Sequence, residues 1–270
     1  MMIKELLKKM PALYSLASSA YNHLVRPIKS GHLQYYLKYC ANVKKYEIRK
    51  LKSYGLDNIK PIMFDQWRIG RGRDGAHRRY YSGSLNGESC FIKVGYKDAT
   101  VNNELNIMMN QETPFAYSPI LLAGASNFDE ETVMLAVQFI PSMEQFTIPK
   151  TKEQFEDLCQ AFLSIADDLK ARHIIHADIH KGNLMMKESK LVLLDYGISM
   201  MMDTGNNIDY ISRPGTYYIE KNGIRTYDDL YSFAKTVEEF GTDESFKECI
   251  SYKKITDRIG DYTFQINVNH

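Results

Sequence analysis

The sequence predicts an α+β fold of two lobes, a small β-rich lobe followed by a compact helical one, with a basic helical extension in front. Three observations carry this expectation. Helical spacing gives way near Pro61 to short strand-like runs. A two-residue hairpin signal, Asn86-Gly87, lies between two of those runs. From Thr151 onward a helical period takes over. The expected divisions are 1–60, 61–140 and 141–270.

The elements follow in order. Leu6, Leu7, Met10 and Leu13, and later Leu33, Tyr36, Leu37 and Cys40, recur at helical spacing, with Pro11 and Pro27 as interruptions. IMFDQWRI, 62–69, reads as a strand and is followed by GRGRDG. HRRYYSGSL and ESCFIKV are the arms of the Asn86-Gly87 hairpin. Residues 99–110 read as a helix, and the apolar run 133–140 as a strand ended by Pro141. Thr151 precedes a long amphipathic helix whose stripe is Phe155, Leu158, Cys159, Phe162, Ile165 and Leu169. HIIHADIHKGNLMM and KLVLLDYGIS read as a loop between short extended segments, and 227–240 as a last helix. Two lobes joined near 141–150 would leave a cleft, where small-molecule sites often lie.

Composition bounds the classes of function. Apolar residues make up 44% and charged residues 25%, an ordinary globular balance that excludes a fibrous or wholly disordered chain. The four cysteines, at 40, 90, 159 and 249, contain no CxxC spacing, so neither a disulfide framework nor a tetrahedral metal set is expected. No apolar run approaches the roughly 20 residues of a membrane span. The first apolar stretch is short and broken by Pro11, so a secretory signal is not expected and a cytoplasmic protein is. The net charge of +1 hides an asymmetry: residues 1–60 hold twelve Lys/Arg against three acids, and the remainder is net acidic. The basic segment either packs on an acidic body or meets an anionic partner, such as the inner face of a membrane. No aromatic–basic reading surface accompanies it, so nucleic acid is not an expected partner.

The chemistry concentrates in four places. Gly70, Gly72 and Gly75 form GxGxxG, and a strand rather than a helix is expected to follow. That context favours a glycine-rich flap over phosphates, although on the glycines alone a plain hairpin turn serves equally well. Lys93 stands in an apolar strand, where it either snorkels to solvent or points into the cleft. Glu104, on the next helix, can hold it as a fixed charge for phosphate. The densest signal is HADIHKGN: His176, Asp178, His180 and Asn183 fall within eight residues, and Asp195 follows behind LVLL. Asp178 can orient and deprotonate a hydroxyl. Asn183 and Asp195 supply hard oxygens, which suit Mg²⁺ better than the histidines suit zinc. Phosphoryl transfer needs mainly charge neutralisation and in-line positioning.

Taken in order, these pieces resemble the protein-kinase-like superfamily. The match comprises the glycine loop, Lys93 in FIKV, Glu104, HADIHKGN, Asp195-Tyr196-Gly197, the RPGTYYIE segment closing on Glu220, and Asp229 heading the last helix. It spans roughly 61–240. The resemblance implies ATP and Mg²⁺ as cofactors. It implies a hinge at Phe139 and Ile140 pairing with adenine, Met185 beneath the base, Val137 at the back, and Asp229 bracing the catalytic loop. His176 and His180 join Lys93, Glu104 and Asp178 as the implied catalytic set. The sequence departs from the common pattern at Ala177, usually arginine, which removes the usual reader of activation-loop phosphorylation. It departs at His180, usually lysine, which brings the loop closer to small-molecule and surface-glycan kinases of the fold. Phe91 stands over the adenine position, normally alanine. Thirty residues follow position 240, implying a small helical lobe.

The expected function is ATP-dependent phosphorylation of a hydroxyl, with a protein Ser/Thr acceptor favoured by GxGxxG and the GTYYIE segment. A saccharide, lipid or surface-glycan acceptor is the alternative, resting on Ala177, His180 and the basic extension. A non-catalytic scaffold is a second alternative, resting on Phe91.

Overall fold

The computed structural model describes residues 44–62, 77–129, 131–202 and 216–267. The expected glycine loop (Gly70, Gly72, Gly75), the helical spacing before Lys44 and all but the first residue of the 62–69 run lie outside the described residues. The fold is α+β. The chain divides into two compact units, Met1–Val101 with Leu122–Gln138, and Asn102–Leu121 with Phe139–His270. No helix among the described residues is long and apolar enough to cross a membrane.

The first unit is built on a five-stranded antiparallel sheet, β1 (Leu56–Pro61), β2 (His77–Leu85), β3 (Glu88–Tyr96), β4 (Leu121–Asp129) and β5 (Thr132–Gln138), in the order β1-β2-β3-β5-β4. Helix α1 (Lys44–Ser53) precedes it. The hairpin between β2 and β3 forms as the sequence predicts. Leu85 pairs with Glu88, and Asn86 and Gly87 take φ of 51° and 85°, the left-handed geometry of a two-residue turn. Alternation then sorts the faces. Tyr81, Cys90, Ile92, Val94, Met134 and Ala136 form one core with Leu51 of α1 and Leu56 of β1. Phe91, Lys93, Leu135 and Val137 fall on the opposite face, where Phe91 pairs in register with Val137 and Lys93 with Leu135.

Within the first unit, two strands differ from the sequence expectation. β1 begins at Leu56, inside the segment read as a helical extension, and β4 is not apparent in the sequence at all. In β1 the register slips between Asp57 and Lys60, and Asn58 has a φ of 53°. A bulge breaks the period of two that would have marked a strand. In β4 only Phe128 is fully buried, because the strand lies at the sheet edge.

The second unit carries most of helix α2 (Ala99–Met109). It also holds α3 (Lys152–Ala171), α4 (Asp229–Glu239), α5 (Glu244–Lys247) and α6 (Ile250–Asp257). Thr151 caps α3 as expected, accepting the Gln154 N–H at 3.3 Å. The predicted stripe is buried, and Phe162 stacks on Phe233 of α4 at 3.9 Å between ring centroids. Among the described residues, three small antiparallel sheets accompany these helices. They are β6 (Glu144–Gln145) with β8 (Leu184–Lys187) and β9 (Lys190–Leu193); β7 (Ile174–Ile175) with β10 (Met200–Met201); and β11 (Ile219–Lys221), β12 (Ile224–Tyr227) and β13 (Phe264–Asn267).

Candidate active site

The loop from β7 to β8 is held at its root by Asp229. This carboxylate lies at the head of α4 and accepts the backbone N–H of His176 at 2.8 Å and of Ala177 at 2.9 Å. Ala177 takes a φ of 63°, which turns the chain so that Asp178 faces back across the loop. Burial pushes the Asp229 carboxyl up to about 7, against the two N–H donors that favour its charged form.

His176 is completely buried. Its Nε2 lies 3.1 Å from the carbonyl of Leu194, and its ring meets Tyr196 edge-on at 5.0 Å. Burial pushes the imidazole down to about 4, so it is neutral and its Nε2–H donates to that carbonyl. The ring therefore ties the loop to the end of β9.

Asp178 is the centre of the cluster. Its Oδ1 accepts the Thr216 N–H at 3.0 Å and the Thr216 hydroxyl at 3.1 Å. Its Oδ2 accepts the Asn183 amide at 3.0 Å and faces His180 Nε2 at 3.6 Å. Burial alone would raise the Asp178 carboxyl. His180, by hydrogen bond and charge, and the Thr216 N–H outweigh it and hold the group below the ordinary range. His180 is itself fixed, because its Nδ1 accepts the Gly182 N–H at 3.0 Å, leaving the proton on Nε2 toward Asp178. A Cβ at Gly182 would lie 2.7 Å from the imidazole, so a larger residue there would displace the His180 ring.

Asn183 also donates to the carbonyl of Asp178 at 3.0 Å. Its planar amide, held on the nitrogen side, presents its oxygen on the opposite edge. The backbone of Asn183 runs beside the turn that bears Asp195, with the Leu194 N–H donating to the Asn183 carbonyl at 2.9 Å. Asp195 has a φ of 63°, and its Oδ1 accepts the Gly197 N–H at 3.2 Å. One carboxylate and one neutral amide oxygen are hard donors that suit Mg²⁺. Among the described residues no group of three or more His, Cys, Asp or Glu could hold a metal ion. A cation here would draw most of its ligands from phosphate and water.

The other residues singled out by the sequence are distributed as follows. Glu104 is buried on α2 in the second unit. Met185 lies on β8, half-buried, opposite Val192, and the exposed Phe139 and half-buried Ile140 open the unit's second segment. Lys93 is buried on β3 of the first unit, opposite Tyr80 on one side and Leu135 on the other. Phe91, on the same face, stacks on Tyr80 at 5.5 Å between centroids. Glu220 lies on β11 and takes Arg225 Nε at 2.9 Å across the hairpin.

Three residues around the site, Thr216, Asn103 and Ser118, are not singled out by the sequence reading. Thr216 lay within the GTYYIE segment, but nothing in the sequence linked it to Asp178. Asn103, beside Glu104, carried no signal of its own. Ser118 and Tyr196 share a hydrogen bond of 2.7 Å, and Tyr196 stacks on Phe115 at 4.8 Å.

A family model, the ABC1 atypical kinase-like domain, matches residues 130–220, which run from just before β5 through the β7–β8 loop to Glu220. No curated protein matches the chain. With Asp229 bracing the loop, Asn183 beside Asp178, and Asp195 on the adjoining turn, the geometry agrees with the matched span, and this similarity over residues 130–220 supports a protein-kinase-like assignment.

Proposed function

We propose that the protein is an ATP- and Mg²⁺-dependent phosphotransferase that phosphorylates a hydroxyl, with serine or threonine in a protein as acceptor. The observation that carries this reading is the Asp178 carboxylate, ionised and held by Asn183, His180 and Thr216. A carboxylate fixed this way can take a hydroxyl proton as the oxygen attacks the γ-phosphorus. The bond to the bridging oxygen then breaks and ADP departs. Asn183 and Asp195 would hold Mg²⁺, which would neutralise charge on the phosphate oxygens. Lys93 is the residue proposed to anchor the α- and β-phosphates.

A protein acceptor is favoured by Thr216. The segment Thr216–Lys221 leaves the Asp178 carboxylate and becomes strand β11, which offers extended backbone beside the proposed base. A saccharide or lipid hydroxyl is the second reading, favoured by His180 in a position where a lysine would supply a permanent charge. The Tyr80–Phe91 stack on the Lys93 face favours the scaffold reading.

The test is transfer of label from γ-labelled ATP with Mg²⁺ in a cell extract, separated into protein, glycan-plus-lipid and soluble fractions. Label in protein is expected, falling about 10²–10⁴-fold in D178A. Asp178-dependent label in the glycan or lipid fraction moves the acceptor to the second reading. Absence of Asp178-dependent label, together with no ATP·Mg²⁺ shift of the melting temperature, sinks the phosphotransfer reading.

A further inference from the structure

Asn103 of helix α2 clamps the Asp195 turn. Asn103, buried at 6% exposure, directs its amide nitrogen at three carbonyls of that turn: Tyr196 at 3.3 Å, Gly197 at 3.1 Å and Ser199 at 2.8 Å. Three acceptors around one –NH₂ group share its two hydrogens, so the nitrogen sits inside the curl of the turn. The turn needs such a support. Asp195 adopts a left-handed φ of 63°, a conformation costly for a residue with a Cβ. Its local partner is the Gly197 N–H at 3.2 Å. Carbonyls curled in this way and buried must be paired, and water has little access to an amide at 6% exposure.

The same turn is held from two further directions. Tyr196 is fixed by its hydroxyl to Ser118 and by its ring on Phe115, and the Ser199 hydroxyl donates to the His176 carbonyl at 3.1 Å. Those contacts fix the turn to the loop before β4 and to the catalytic loop. Asn103 ties it to the helix that also bears Glu104, its next neighbour in sequence.

We infer that Asn103 is a positioning residue for the metal-binding carboxylate: its amide holds the 196–199 carbonyls so that Asp195 faces the cation. It touches neither nucleotide nor acceptor, and it acts through Asp195. The inference rests on the phosphotransfer reading for the identity of the cation, and on geometry alone for the clamp.

The experiment compares wild type with Asn103→Ala and Asn103→Leu. Leu keeps the branching of the Asn side chain, is bulkier, and removes both its donor and its acceptor, so it fills the site if the Ala variant folds poorly. Two readouts are taken, neither of them activity: amide exchange over the 196–202 peptide, and the Mg²⁺ concentration giving half the ATP-dependent thermal shift. Loss of a group that orients a metal ligand weakens metal binding about tenfold or more. Both variants are expected to exchange faster over 196–202 and to need about tenfold more Mg²⁺. Unchanged exchange overturns the clamp. Faster exchange with an unchanged Mg²⁺ requirement makes Asn103 a packing residue and overturns the positioning role. If wild type shows no Mg²⁺-dependent response to ATP, the phosphotransfer reading and the metal part of this inference fall together. Exchange over 196–202 then still decides the clamp.

Discussion

His176 shows how a residue can brace a candidate site without reaching solvent. Its neutral ring donates to Leu194 and packs on Tyr196, and Asp229 holds its backbone N–H. A histidine whose folded value is depressed to about 4 must be neutral to stay buried. Between about pH 6.5 and 4 the unfolded chain therefore binds a proton that the folded chain refuses, and stability falls as the pH falls. The stability that wild type holds over H176N is thus fully present above about pH 6.5. It should shrink by about 3 kcal/mol as the pH is lowered to about 4. Urea unfolding of both proteins across this range checks it, and a difference independent of pH would show that the ring is not held neutral.

At the scale of elements, a buried ion pair joins the apolar contact of Leu51 in attaching α1 to the sheet. Glu47 is 2% exposed and its Oε2 meets Arg79 Nε of β2 at 2.7 Å, beneath the helix. Burial raises the Glu47 carboxyl, and the Arg79 charge pulls it back. Removing one partner of such a pair leaves the other charged and buried, at a cost of about 3–5 kcal/mol. Glu47→Ala should therefore lose about 3–5 kcal/mol in denaturant unfolding. The double variant E47L/R79M should recover most of that loss, because no unpaired charge remains. A similar device fixes α6: Glu156 of α3 accepts the Ser251 N–H at 3.0 Å and its hydroxyl at 2.6 Å, so one helix caps another.

Across the whole molecule, segments distant in sequence complete the site's framework. β13 pairs with β12, whose other edge carries β11, the strand that follows Thr216. β12 also leads directly into Asp228, which caps α4 through the Tyr231 N–H at 2.9 Å and accepts the Gly260 N–H at 2.6 Å. A chain cut after Asp261 loses the β13 pairing and the apolar cover of Phe264 and Ile266 on the Tyr227 cluster. It should lose roughly 2–4 kcal/mol of stability and exchange its 216–227 amides faster. Unchanged exchange there would show that β13 is not needed to hold the β11–β12 hairpin.

The sequence by itself determined the local elements whose signals are short-range. These are the Asn86-Gly87 hairpin, the capped and striped helix after Thr151, and the spacing that puts Asp178 and Asn183 on one loop. Each follows from turn chemistry, helical period or a few residues of separation. The tertiary structure alone decided what depends on contacts distant in sequence. It showed Thr216 against Asp178, Asn103 beneath the Asp195 turn, and the buried Glu47–Arg79 pair. It also revealed β1 and β4, one masked by a bulge and the other by its place at the sheet edge. Alternation and period report only which side of an element faces inward. Which buried polar group meets which is set by packing, since a desolvated donor or acceptor must find its partner wherever the chain brings one.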